Sequence, residues 1–494
     1  MKLTILFLLL ISSSIILGQP LYLTDYGIVT NDSTKSAANA DSLRHLISIA
    51  NGRVIQLPAD TVYIDSININ NTNGIRIYGP GVLVYRSSSK TLTSNYLIKF
   101  SNCADIELIN FNVDGKNGAG SGNGYNNAVL PFYFEGGGAF GENERITISD
   151  VNFYDFWWLG FGGELTSAGV YSQVADTIAR DVRILRCTWP RVPKRVAGPR
   201  GILTQGLVDR IRIEECDFNG EVDGTIYGRG FIKLAAVCNF TIKNNISRNT
   251  YDYDYYLGGH NGVVEGNKSI NGGKDNFMNL ALTSPFNNIP GWQGVGSVNY
   301  RNNLARGSGR FISGSPVGFK IDGDLNIIDS NRYESQDTSG YVANHAQVGI
   351  IVNGPNNVII NNVLLGRNHE LPGFPGQTAI LVTDTFNIGN QNIIKDNVID
   401  GWRDGVLIQL DSRNPLITSN SFTNIDSVAV WDYGQDNGRL VSSYNSFFNV
   451  RDAYRISGVD TLLQVHETML DVIRRNATTP MGDSVLVDSL NIRL

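Results

Sequence analysis

Residues Ile328-Asp329-Ser330-Asn331-Arg332-Tyr333 and Ile417-Thr418-Ser419-Asn420-Ser421-Phe422 are written on one template. An apolar residue is followed three places on by a small or polar anchor, and two places after that by a second inward-type residue. Ile184–Cys187–Trp189 and Ile213–Cys216–Phe218 fit the same template with Cys as the anchor. Weaker copies are Leu108–Phe111–Val113, Ile148–Val151–Phe153, Ile242–Asn245–Ser247 and Ile394–Asn397–Ile399, with further anchors at Asn267, Asn303, Asn362 and Asn445. The apolar residues alternate at period two, which is the period of strands. Successive anchors lie roughly 22 to 40 residues apart, a floor with variable insertions, as expected when each turn of a solenoid must return to the same place. Strands that recur in one direction pair in parallel. The pattern predicts an all-β chain, a right-handed parallel β-helix of about 12 coils, with strands stacked about 4.8 Å apart into a rod on the order of 55 Å long. A sandwich or propeller would need hairpin turns at regular spacing, and no such Asn-Gly or Asp-Gly series is present.

The anchors have a physical rationale. An inward Asn at a bend tolerates a left-handed backbone and can stack its amide on the Asn of the next coil, satisfying both. Cys187 and Cys216 share that register. A disulfide needs converging Cβ vectors, whereas stacked side chains point in parallel, so two free thiols are expected.

Composition narrows the class. The chain has 494 residues, 42% hydrophobic and 17% charged, which is neither disordered nor coiled-coil. Its 53 glycines, with frequent Asn, Ser and Asp, predict many short elements joined by turns. The net charge is -6, which argues against nucleic acid or an anionic membrane as partner. Four Cys are too few to staple a chain of this size.

The N-terminus reads as a secretory signal over residues 1–19: Lys2, an apolar run through Leu6–Leu10 and Ile15–Leu17, and Gly18-Gln19 near the cut. It is short for a bilayer span, and no later stretch is long and apolar enough to make one. The expected location is extracellular or periplasmic. Residues 20–100 are assigned to an N-terminal cap and first coils, 101–455 to the β-helix, and 456–494 to a C-terminal cap. In the N-terminal cap a helix over Asp41–Ala50, with Asp41 as N-cap and Leu43, Leu46 and Ile47 on one face, would close the bottom of the stack. At the other end a helix over Leu462–Arg475 and a strand at Val485–Val487 are expected.

Asp25-Tyr26-Gly27, the helix, the strand Val54-Ile55-Gln56-Leu57-Pro58-Ala59 and Ile75–Gly81 follow one another in an order that resembles the opening of the pectate-lyase-like superfamily. The Asp-rich, Gly-containing stretch usual there is present in part, as Asn31-Asp32-Ser33-Thr34. The resemblance implies the β-helix strongly and chemistry weakly, since that superfamily holds hydrolases, lyases, epimerases and virion tailspikes.

Glycosidic bonds are cleaved by paired carboxylates, or by elimination from a uronic acid with a basic side chain. Counting ten residues past the apolar position of three central coils gives Asp223, Asp252 and Lys274, with Asp275 one further. Asp223, Asp252 and Asp275 are the candidate catalytic carboxylates, with His260 as acid, base or orienter. Tyr253, Tyr255 and Trp158 are candidate sugar platforms. Arg191, Lys194, Arg195, Arg200 and Lys274 are candidate contacts to an anionic glycan. Gly258-Gly259-His260-Asn261-Gly262 is reminiscent of the Gly-His-Gly element of polygalacturonases, but that family's Asn-Thr-Asp and Arg-Ile-Lys companions are not found in order. The lyase signature Arg-x-Pro-x-x-Arg likewise fails, because Val196 stands at its last position. Turn chemistry is the competing explanation for the Asp row, and a solvated insertion for the cationic loop.

The expected function is therefore a secreted glycoside hydrolase with a carboxylate pair in a groove on the central coils. The alternatives are a polysaccharide lyase using Arg195, Lys194 or His260, and a non-enzymatic glycan-binding or adhesion solenoid. No metal motif or cofactor motif is present, although an Asp cluster is compatible with Ca²⁺. The partner is a polysaccharide, with neither nucleic acid nor a membrane span expected and no oligomeric state assigned.

Overall fold

A computed structural model describes residues 19–86, 96–115, 129–164, 175–193, 199–280, 294–307, 317–335, 347–366, 378–383, 391–409, 414–433, 439–456, 461–478 and 485–488. Residues 1–18 of the expected signal segment, Lys194 and Arg195 lie outside them. Among the described residues no helix is long and apolar enough to cross a membrane.

The chain is a right-handed parallel β-helix, with one α-helix among the described residues, near the N-terminus. Each coil contributes strands to three faces. Arg200–Glu214, Gly230–Lys243 and Tyr253–Glu265 run unbroken through the first and second faces. The first face continues through Asp275–Asn279, Val317–Asp322, Val348–Asn353 and Thr378–Thr383. The second continues through Gly296–Arg301 and Ile327–Asp329, and the third through Asp217–Asn219, Ile246–Arg248 and Lys268–Ile270. Coils also precede residue 105 and follow residue 450, so the stack exceeds the expected dozen.

The anchor column is continuous. Asn331 Nδ2 donates to Asn362 Oδ1 (3.1 Å) and to the Tyr300 carbonyl (2.8 Å). Its Oδ1 accepts from the backbone N–H and the Nδ2 of Asn303 (3.0 and 2.9 Å). The same bonds repeat from Asn245 through Asn267, Asn303, Asn362, Asn397 and Asn420 to Asn445. Cys187 and Cys216 extend the column as free thiols: Cys187 N–H donates to Cys216 Sγ, and Cys216 N–H to Asn245 Oδ1. The left-handed backbone falls one residue earlier than expected. It is Asn244, Asn302, Ser330, Asn361, Asp396 and Ser419 that have φ between 54° and 57°, each immediately before an anchor. That kink turns the anchor's side chain into the core and leaves the anchor itself unstrained. Inward aromatic stacks, such as Tyr255–Phe277–Phe319 at 4.7 and 4.9 Å, fill the rest of the interior.

The N-terminal helix covers Ser36–Ile49, and Ala40, Leu43, Leu46 and Ile47 are buried. Asp41 is not its N-cap. It lies inside the helix and pairs with Arg44, while Asp32 accepts from the Thr34 N–H upstream. Asn39 pins the helix by donating to the carbonyls of Val29 and Tyr63. The expected C-terminal helix is corrected to strands, Thr461–Val465 and Thr468–Thr478. His466 has φ 53°, the kink that precedes every anchor, and Glu467 takes the anchor position by accepting from Asn445 Nδ2. The sequence there continues the coil, and its apolar spacing also suits a helix. Val485–Asp488 pairs with the first of those strands.

Replacing Asn331 with Ala removes both side-chain donors and the acceptor shared by Asn303, leaving buried groups unpaired. We expect about 2–4 kcal/mol of destabilisation in urea titrations, against under about 0.5 kcal/mol for Asn68→Ala at an exposed strand position.

Candidate active site

The first face is the one bordered by long connections at both edges. Chain enters it from Arg306 to Val317, Glu334 to Val348 and Leu365 to Thr378, and leaves it from Asn279 to Gly296. Between third-face and first-face strands, the central coils place Arg229, Asp252 and Lys274 in line: Asp252 N–H bonds the Arg229 carbonyl and Lys274 N–H the Asp252 carbonyl. The next column holds Tyr253 and Asp275, paired in register. Outward side chains of the same face are Lys233, Tyr256, Met278 and Lys320.

Two glycines let this turn form. A Cβ on Gly273 would stand 1.9 Å from the Tyr251 carbonyl carbon, and one on Gly272 would stand 2.7 Å from Asp254 Oδ2. The turn that delivers Lys274 and Asp275 therefore lies flat against the coil before it.

The electrostatics are uneven. Arg229 Nε holds Asp252 Oδ2 at 2.7 Å. Arg200 Nε donates to Tyr253 Oη at 2.9 Å, with its guanidinium 5.4 Å from that ring. Lys233 Nζ lies 5.0 Å from the Tyr256 ring. Burial, reinforced by Arg200 and Arg229, pushes the Lys233 ammonium down to about 8. Asp275 is 3% exposed, and its Oδ1 has no hydrogen-bond partner. Burial pushes its carboxyl up to about 6; Lys274 and Lys320 pull the other way, and Asp252 adds repulsion. Asp254, two residues beyond Asp252, is an interior group instead, accepting from Thr250, Ser247 and Ser269.

The structure thus brings together Asp252, Asp275, Lys274, Arg200 and Tyr253 of the expected residues. Tyr253 is buried beneath Arg200 and braces that side chain. The others are placed elsewhere. Asp223 and Gly224 (φ 51° and 76°) are the central pair of an exposed hairpin, Glu221–Val222 with Thr225–Ile226, the backbone of a type I′ turn. That hairpin shifts the count, so Arg229 occupies the position assigned to Asp223. His260 lies past the bend, on the second face in register with Cys238 and Gly296, roughly 23 Å of strand from Tyr253. Its Nδ1 is buried without a hydrogen bond. Arg191 is on the third face, bound to Asp155 at 2.7 Å with Asp114 at 3.9 Å. Tyr255 is fully buried and stacks on Phe277, so it is core. Trp158 is buried against Trp157, in a cluster with Tyr96, Leu130, Tyr133 and Leu203, and offers no open platform. Arg229, Lys233 and Lys320 were missed. Lys233 had a signal: it is the one charge in the apolar run Phe231–Val237. No group of three or more His, Cys, Asp and Glu among the described residues is arranged to hold a metal ion.

These features define the molecule as a parallel β-helix with a charged cluster on one face. No protein-family model matches the sequence, and no curated protein matches it. Similar solved structures are an N-terminal fragment of gene product 12 of bacteriophage Phi29 (13% identity, 95% of this chain and 90% of that one, TM-score 0.53) and the tailspike of E. coli bacteriophage HK620 with a pentasaccharide (11%, 93% and 81%, 0.48). The surface adhesin PfbA of Streptococcus pneumoniae is also similar (14%, 84% and 93%, 0.44). At these identities the likeness is one of fold.

Asp275 supplies a pH test. A carboxyl whose folded value is raised costs stability once ionised, so its contribution is lost as pH rises from about 4 through about 6. Asp275→Asn should therefore stabilise the protein by about 3 kcal/mol at pH 7, and the gain should vanish near pH 4 in denaturant titrations.

Proposed function

We propose that the chain is an exported glycoside hydrolase that cleaves a polysaccharide lying over the first face. The observation that carries this is Asp275: a buried outward carboxyl, raised to about 6, with an oxygen left without a partner beside Asp252. Two carboxyls in unlike settings are the acid and base, or acid and nucleophile, of glycoside cleavage. In this reading Asp275 protonates the leaving oxygen. Asp252, held by Arg229, acts on the opposite side of the sugar. Arg200, Lys233, Lys274 and Lys320 ring the pair and favour an anionic glycan. The apolar run after Lys2, which reads as a secretory signal, supports export, and the pectate-lyase-like opening supports a secreted carbohydrate-active protein.

One observation favours a second reading. A Lys near 8 is partly neutral at neutral pH, so Lys233 is fit to take a proton in a β-elimination. Lysis leaves an unsaturated sugar that absorbs in the ultraviolet, whereas hydrolysis leaves only new reducing ends.

A reducing-end assay across acidic and neutral polysaccharides should find a substrate without ultraviolet gain. On it, Asp275→Asn and Asp252→Asn should each lower kcat/KM by about 10²–10⁴-fold, and wild-type kcat/KM should fall as pH rises through about 6. Full activity in both variants sinks the hydrolase reading; ultraviolet gain abolished by Lys233→Met establishes the lyase.

A further inference from the structure

A second group of side chains lies further along the first face. Trp431 follows Leu407 in the outward row that holds Lys233, Tyr256 and Lys320, and Arg455 follows Trp431. The Arg455 guanidinium lies 5.0 Å from the half-buried Trp431 ring. Tyr433 meets the same ring edge-on at 5.7 Å and is 60% exposed. Asp404 stands in the column of Asp275, connected to it through Val317, Val348 and Thr378. Like Asp275 it is buried, with an Oδ1 that has no hydrogen-bond partner. Its surroundings include Arg403, at 3.9 Å, and Arg455. Arg455 is in turn held by Asp452 at 2.9 Å. Between the two clusters the outward row is apolar and partly exposed, through Ile351, Leu381 and Leu407.

We propose that Trp431, Tyr433 and Arg455 form a second carbohydrate-binding platform, which holds the same polysaccharide away from the cleavage site and aligns it along the solenoid axis. The aromatic pair supplies flat apolar surface for the carbon-hydrogen faces of a sugar ring. Arg455, held by Asp452, supplies a donor for its hydroxyls. The intervening aliphatic row is a floor along which a chain can lie without desolvating further charge. Trp431 is five coils beyond Met278 in its row, a separation of about 24 Å at the strand spacing. The platform therefore selects for length: a fragment of two or three sugars cannot touch both clusters.

This inference rests on the first face being the glycan-binding face, and the test keeps it separable from the cleavage reading. Wild type, Trp431→Ala and Tyr433→Ala, each in the Asp275→Asn background so that polymer is not consumed, are run in native gels containing polygalacturonate, alginate, xylan or dextran. The parent should be retarded by at least one polymer, and each platform variant should bind that polymer about tenfold more weakly. Trp431→Phe, which keeps a ring in place, should restore most of the retardation. Di- and trisaccharide fragments of that polymer should compete equally with parent and variants. Retardation without cleavage by wild type would end the hydrolase proposal and leave the platform standing. Equal retardation of parent and variants, or retardation by none of the four polymers, overturns the platform.

Discussion

The amide column is the constraint on which the rest of the structure depends. At every bend a coil turns its backbone inward, and the N–H there has no strand partner. An unpaired buried donor costs roughly 1–3 kcal/mol. Asn solves the problem because its carboxamide has two donors and a two-bond acceptor, and here both halves are used in full. Asn303, for example, donates to Asn331 and to the Val264 carbonyl, and accepts twice from Asn267. A slip of one residue would put the kinked neighbour, such as Asn302 or Ser330, into the core and the amide into water. Register is thereby fixed coil by coil, and outward side chains far apart in sequence fall into straight columns.

That logic separates what could be read in the sequence from what could not. The template read the interior well, because inward positions obey packing: Phe422, Trp189 and Tyr333 are all buried where it put them. It read the exterior poorly, because outward positions are located by counting, and counting fails across any insertion. The hairpin Glu221–Ile226 moved Asp223 out of its column and put Arg229 there. Tyr255 illustrates the converse. Four tyrosines in six residues, Tyr251–Tyr256, offered no sign of which ring faces inward. Pairing with Ile232 and Phe277 does, and pairing is a property of neighbouring coils. The end coils were hidden for another reason. At Glu467 the column ends on a carboxyl raised by burial, which accepts from Ser442, Tyr454 and Asn445, and a template built on Asn does not see it.

The first face, not the second or third, carries the charged cluster because only there do connections have room. Second-face strands pass into third-face strands of three residues through the two-residue anchor bend, as at Asn244–Asn245, which is too tight for insertions. The long connections all enter or leave the first face, so length accumulates at its two edges. The same freedom allows Asp252, Lys274 and Asp275 to stand at a turn where neighbouring coils need only match backbone bonds.

Within that cluster, three carboxyls close in sequence show how burial alone does not make a reactive group. Asp254 is fully buried, yet three hydroxyls donate to it, and it serves to tie the Asn249–Asp254 turn to the strand Lys268–Ile270. Asp252 is half-buried and answered by Arg229. Asp275 is buried nearly as deeply as Asp254, but no side chain donates to it, and the two lysines beside it only temper the cost of its charge. A carboxyl in that position gains by holding a proton, and it loses nothing by giving the proton to a leaving oxygen while Lys274 and Lys320 stabilise the anion that remains. What marks Asp275 is thus an Oδ1 left without a partner, and Asp404, four coils on in the same column, has one too, although Ser427 hydrogen-bonds its carboxyl.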